Sequence, residues 1–157
     1  MFESLESMLL NYGYQGLFLA SFLASTILPF GSELLLIYLV EQKFNIPALV
    51  LVASVGNFLG ACTSYYIGFK GRILVEKYLR FDPKELDKAE KIVTKYGLFV
   101  LLFTWLPFIG DAITVVGGLL RLNFRIFSIL VFTGKFLRYL AVAYIAAYFP
   151  SFIKLML

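Results

Sequence analysis

A chain of 157 residues has room for one domain, yet 61% of it is hydrophobic and only 15% charged, with a mean hydropathy of +0.86. A soluble domain is about 45–50% apolar and about 25% charged, and a small protein has too much surface to hide such an excess in a core, so lipid must cover the rest and a soluble enzyme is excluded. The chain has no histidine, one cysteine and a net charge of +4, which removes His-based general-base, Ser-His and His-zinc chemistry together with disulfides and cysteine clusters.

The N-terminus carries Glu3 and Glu6 where a signal peptide would carry positive charge, so the first hydrophobic run is expected to be retained. Hydrophobic stretches follow at 14–40, 46–69, 97–120 and 126–153. A straight transmembrane helix needs about 20 apolar residues. The second and fourth stretches meet that length with prolines only at their ends, Pro47 and Pro150. The first and third are interrupted, by Leu28-Pro29-Phe30-Gly31-Ser32-Glu33 and by Leu106-Pro107-Phe108-Ile109-Gly110-Asp111. Each interruption joins a helix breaker, a flexible glycine and a carboxylate. Non-helical backbone at membrane depth survives only when buried in protein or lining a wet cavity. Each interrupted stretch therefore reads as a re-entrant hairpin, with Pro29 and Gly31 at one tip and Pro107 and Gly110 at the other. The arm from Tyr14 to Leu28 would be roughly 22 Å long at about 1.5 Å per residue. A kinked full span is the alternative.

Residues 28–67 return without a gap 78 positions later. Leu28-Pro29-Phe30 falls on Leu106-Pro107-Phe108, Glu33 on Asp111, Asn45 on Asn123, Gly56 on Gly134, and Tyr66-Ile67 on Tyr144-Ile145. The repeating unit is a hairpin plus one spanning helix. A hairpin returns to its own side, so each unit crosses once and the two units are expected to be inverted, as in many transporters. The expected architecture is one all-α membrane domain over 1–157. It has a first repeat at about 14–69, a linker at 70–96 and a second repeat at about 97–153.

The linker is charged. Asp82-Pro83-Lys84-Glu85 is a helix start with Asp as N-cap, Pro in the first turn and Glu three residues after the cap. Leu86, Ala89, Val93 and Tyr96 form an apolar stripe, and Lys84, Lys88, Lys91 and Lys95 a cationic one. This pattern describes an amphipathic helix on an anionic membrane face, or else a solvated linker helix. Ten cations, Lys70 to Lys95 with Arg121 and Arg125, would share one side of the membrane against Lys43 and Lys154 on the other. The positive-inside rule then makes the linker cytoplasmic and both termini external.

Glu33, Asp111, Lys135 and Arg138 are ionisable residues inside hydrophobic stretches. Each costs at least about 2.5–3.5 kcal/mol at a helix centre on insertion scales. Lys135 and Arg138 share a helix face, and both acids belong to hairpin tips. Two acids facing two bases in a polar chamber is the simplest arrangement, as a transport site or as a structural ion-pair cluster. Gly56, Gly60, Ser64 and Gly68 recur every four residues, a spacing for close helix packing in lipid. Cys62 reads as a buried, inert thiol.

The stretch Phe103-Thr104-Trp105-Leu106-Pro107-Phe108-Ile109-Gly110-Asp111, then Gly118-Leu119-Leu120-Arg121 and Gly134-Lys135-Phe136-Leu137-Arg138-Tyr139, resembles the YqaA branch of the DedA family (VTT or SNARE-associated domain). Leu28 to Glu33 and Gly56-Asn57-Phe58-Leu59-Gly60 resemble that branch's first half. The likeness spans roughly residues 14–146. It implies two opposed re-entrant hairpins and translocation of undecaprenyl phosphate or phospholipid, linked to the proton-motive force. Larger family members carry arginines before and after the second hairpin's proline. Thr104 and Gly110 stand there in this chain, so the role of those arginines does not carry over.

The expectation is therefore a multi-pass translocase of anionic lipid in a bacterial inner membrane, proton-coupled and not an enzyme. Lys135 and Arg138 would bind phosphate; Glu33 and Asp111 would carry protons or pair the cations. Membrane lipids are the expected partners, with no nucleic acid, no cofactor and no metal, and a homo-oligomer is left open. The rivals are an ion or small-solute transporter, a structural membrane factor, and an intramembrane hydrolase built on Glu33 and Asp111. The last lacks the Gly-x-Gly-Asp signature, because Phe108 replaces the first glycine.

Overall fold

The computed structural model describes residues 2–26, 32–78, 82–106 and 109–149. The tip residues Pro29, Gly31 and Pro107 lie outside the described residues. Regular structure among the described residues is all helical: α1 Phe2–Ala24, α2 Ser32–Glu41, α3 Ile46–Lys70, α4 Arg72–Tyr78, α5 Pro83–Tyr96, a 3-10 helix Gly97–Phe103, α6 Ile109–Leu119 and α7 Phe124–Tyr148.

Helix length separates two kinds of element. α3 and α7 have 25 residues each, roughly 37 Å at 1.5 Å per residue, and are long and apolar enough to cross a ~30 Å hydrocarbon layer. α2 and α6, with 10 and 11 residues, reach only about 15–17 Å. α6 nevertheless avoids lipid, since every residue from Ala112 to Gly118 is buried. A helix too short to span needs that cover where its ends lie at membrane depth.

Local structure recurs at the offset seen in the sequence. α7 begins and ends 78 positions after α3, and α6 ends 78 positions after α2. Asn45 and Asn123 cap the two long helices alike. The Asn45 side chain accepts from the Ala48 amide at 3.0 Å, and that of Asn123 from the Arg125 amide at 3.0 Å. Each cap contributes about 1 kcal/mol. The residue two before each cap, Lys43 (φ 63°) and Arg121 (φ 52°), is left-handed. That conformation is uncommon outside glycine, so its occurrence at both equivalent positions marks one loop geometry used twice.

Packing follows the small residues. A Cβ on Gly56 would lie 2.5 Å from the Phe18 carbonyl of α1, and one on Gly60 2.5 Å from that of Phe22. Gly68 of α3 faces the Val115 carbonyl of α6, and Gly118 of α6 faces the Tyr65 carbonyl of α3. These contacts set α1 and α6 backbone-to-backbone against α3. Two apolar cores result. One joins Ala61 and Tyr65 of α3 to α5, α6 and Phe127 and Val131 of α7. The other joins Leu49, Val50 and Ala53 of α3 to Leu17, α2 and Tyr139, Ala143 and Ala146 of α7. The start of α3 thus meets the end of α7, so the two long helices run antiparallel.

Three expectations need correction. α1 extends back to Phe2 through a break at Tyr12 (φ −116°, ψ 18°) and ends at Ala24, not Leu28. The first arm of the second broken stretch is a 3-10 helix, whose rise of about 2.0 Å per residue lets seven residues reach ~14 Å. The third correction concerns α5. Its start is as expected, with Asp82 accepting from the Lys84 amide at 2.9 Å and Pro83 at the first position. Its apolar stripe, however, does not lie on lipid. Leu86, Ala89 and Val93 are buried in the first core, and Tyr96 drops out of the stripe at 59% exposure, with the Lys95 ammonium 5.2 Å from its ring. Folding brings α6 and the 3-10 helix within reach of that stripe, and protein competes with lipid for the same apolar face. The lysine stripe is exposed, as expected.

Candidate functional site

Between the two cores, half-way along α3 and α7, lies a polar cluster. Asn57 and Lys135 are each the twelfth residue of their 25-residue helix. They stand 78 positions apart and hydrogen-bond to each other, Lys135 Nζ donating to Asn57 Oδ1. The two positions that match in the sequence repeat are thus in direct contact. The Lys135 ammonium is 3% exposed. It also donates to Ser25 Oγ at 3.3 Å and lies 3.8 Å from Asp111 Oδ1. Ser25 Oγ in turn donates to Asp111 Oδ1 at 3.4 Å.

One turn along α7, the Arg138 guanidinium pairs with the Glu33 carboxylate and donates from Nη1 to the Trp105 carbonyl at 2.6 Å. The four ionisable residues singled out from the sequence are thus brought together as two ion pairs, Lys135 with Asp111 and Arg138 with Glu33. Each pair ties α7 to a short helix, α6 through Asp111 and α2 through Glu33. Gly110, expected at a tip, is buried, and a Cβ there would run into the Thr104 carbonyl. Thr104 is buried too, its hydroxyl donating to the Leu101 carbonyl at 2.8 Å. Neither position has space for an arginine. The Arg138 guanidinium reaches the same turn from α7 instead.

Ser25, Ser32 and Tyr139 also belong to the cluster, although nothing marked them as site residues in the sequence. Tyr139 Oη accepts from Asn57 Nδ2 at 2.9 Å and is 2.8 Å from Ser32 Oγ. A polar residue in the middle of an apolar span was the available signal for Asn57. Ser25 carried none, because serine in a membrane helix usually satisfies itself on its own backbone.

An open groove of about 540 Å³ runs beside the cluster, between the 3-10 helix and α7. Leu102, Phe103, Trp105, Leu137 and Ile145 form its walls, and Arg138 is the one charged residue among those lining it. The equivalent of Arg138 in the first half is Gly60, and there the Phe22 carbonyl presses on the helix. The groove's charged residue therefore has no counterpart at the equivalent position of the first half. No group of three or more metal-ligating side chains occurs among the described residues.

Two apolar helices long enough to cross a membrane, with exposed leucines and isoleucines along them and ion pairs near the middle of α7, fit a membrane protein. The VTT domain matches residues 28–148, and the chain belongs to the VTT-domain, or DedA, family. A Haemophilus influenzae protein is 36% identical over 144 residues, covering 85% of this chain and 87% of its own. The inner membrane protein YqaA of Escherichia coli is 35% identical over 128 residues, 81% of this chain and 86% of its own. The membrane protein YkoX of Bacillus subtilis is 30% identical over 131 residues, 78% of this chain and 58% of its own. No solved structure matches the chain.

Proposed function

We propose that this protein translocates a lipid with an anionic headgroup across a bacterial inner membrane, and that it is a transporter and not an enzyme. The observation that carries this reading is Arg138, a cation that lines an apolar, open-sided groove and belongs to the mid-membrane charge cluster. A phosphate needs a desolvated cation; its acyl or prenyl chain needs an apolar path beside it. A polar vestibule would suit a small solute; an apolar groove with one arginine suits a lipid. The E. coli relative is an inner membrane protein, which agrees with the location, and the family resemblance implies translocation.

In this reading the two short-helix units are re-entrant hairpins entering from opposite faces, and the repeats are inverted about the Asn57–Lys135 contact. The antiparallel course of α3 and α7 supports that arrangement. Glu33 and Asp111 hold Arg138 and Lys135 in the absence of substrate. Protonation of a carboxylate releases its cation to a phosphate, which couples translocation to protons.

Two outcomes test this. In proteoliposomes, the purified protein is expected to move labelled phosphatidylglycerol or polyprenyl phosphate between leaflets well above protein-free vesicles, and phosphatidylcholine less. Background rates would end the lipid reading in favour of the small-solute rival, and equal rates for phosphatidylcholine would end the anionic-headgroup reading. The linker is expected to be cytoplasmic, from the clustering of lysines on the α5 side. Lys84→Cys in a Cys62→Ser background should resist a membrane-impermeant thiol reagent in intact cells and react after lysis. Ready labelling in intact cells would reverse the topology.

A further inference from the structure

We infer that Asn57 and Tyr139 are positioning residues that aim the Lys135 ammonium at an incoming anion. The inference rests on the proposed function and adds two residues, and the direction of a hydrogen-bond chain, to it.

The direction follows from donor and acceptor chemistry alone. A lysine ammonium only donates, so the group that Lys135 Nζ contacts on Asn57 must be the amide oxygen. The Asn57 amide nitrogen therefore points the other way and donates to Tyr139 Oη at 2.9 Å. Tyr139 Oη also lies 2.8 Å from Ser32 Oγ, in a hydrogen bond that either hydroxyl can donate. Donation runs from Lys135 to Asn57 to Tyr139, and the hydrogen-bonded chain continues to Ser32. Ser32 is the first residue of α2 and the neighbour of Glu33, the partner of Arg138. The start of α2 thus holds both cations of α7, Arg138 directly and Lys135 through two relays.

The chain matters because of what it leaves for Lys135. An ammonium has three donors. Asn57 and Ser25 take two. The Asp111 carboxylate, at 3.8 Å, balances the charge but is beyond hydrogen-bond range. Among the described residues the third donor makes no hydrogen bond, and a phosphate oxygen entering on the Asp111 side would be the first to accept it. If the Asn57 amide turned over, its nitrogen would face the ammonium and drive it off that line. The ammonium selects the amide orientation, and Tyr139, held by burial, satisfies the nitrogen at the other end by accepting from it.

Two variants with opposite expected effects on stability separate positioning from simple packing. Asn57→Asp sets a carboxylate against the ammonium. Its melting temperature in detergent is expected to equal or exceed that of the parent, while its affinity for fluorescent phosphatidylglycerol falls at least tenfold. Tyr139→Phe keeps the ring but frees the amide. It is expected to melt lower and to bind phosphatidylglycerol several-fold more weakly. In both, the preference for phosphatidylglycerol over fluorescent phosphatidylcholine should shrink, an effect that loss of packing does not produce. If Tyr139→Phe fails to fold, Asn57→Asp decides alone. A parent protein that prefers phosphatidylglycerol, with folded variants that bind it equally well, would overturn the positioning role and leave the proposed function standing. A parent protein with no preference between the two lipids would overturn both.

Discussion

Gly118→Val is expected to leave little folded protein, with a loss of at least ~3 kcal/mol in any fraction that survives. The reason is the place of Gly118 on α6, where a Cβ would run into the Tyr65 carbonyl and stand 2.8 Å from the Phe69 amide nitrogen. Overpacking a core typically costs about 1–3 kcal/mol when flexible side chains can yield. Here the obstacle is the backbone of α3, a helix that packs in both cores. Relief would require α6 to withdraw, and Asp111 would leave Lys135 with it. Gly16 supplies the control. Nothing lies within 4 Å of a Cβ built there, so Gly16→Ala should gain roughly 0.5–1 kcal/mol, the usual helix preference for alanine. Size-exclusion recovery after graded heating in detergent reads both. Normal recovery of Gly118→Val would mean that the close crossing of α3 and α6 does not hold.

Arg138→Gln is expected to abolish lipid translocation and to destabilise the protein by about 2–3 kcal/mol. Breaking a fully buried ion pair costs about 3–5 kcal/mol because the partner charge is stranded. The lower figure reflects side chains that remain 22% and 19% exposed. Stability and activity can be separated by a second change. Glu33→Gln added to Arg138→Gln removes the stranded carboxylate and should restore most of the stability. It should not restore translocation, because the cation that meets the headgroup is still missing. Arg138→Lys keeps the charge but loses the planar fork that serves the Glu33 carboxylate and the Trp105 carbonyl together. It should fold yet transport poorly. The check is a vesicle flip assay alongside thermal unfolding for all three variants. Translocation that merely follows stability across the series would make the pair structural.

Much of this protein was legible along the chain because membranes enforce local rules. A helix in lipid satisfies its backbone internally, so span length and the two interruptions could be read residue by residue, whereas Asn45 and Asn123 stood out only as matching repeat positions and the structure made them caps. A charge in an apolar run must find a partner. That singled out Glu33, Asp111, Lys135 and Arg138, and the structure gathers all four. The 78-position repeat carried over into helix ends, caps and the left-handed pair Lys43 and Arg121.

What the tertiary structure alone decided are matters of which surface meets which. The apolar stripe of α5 has the same periodicity whether it faces lipid or α6, and only the fold turns it inward. Ser25 and Tyr139 looked like ordinary membrane-helix residues until Lys135 and Asn57 were brought to them from distant parts of the chain. Which carboxylate pairs with which cation was likewise open, since two acids and two bases allow two pairings. The charge in the groove depends on a contrast between equivalent positions, Gly60 pressed by a carbonyl and Arg138 reaching for one. Side-chain hydrogen bonds and helix crossings join residues tens of positions apart, and a local pattern carries no information about that distance.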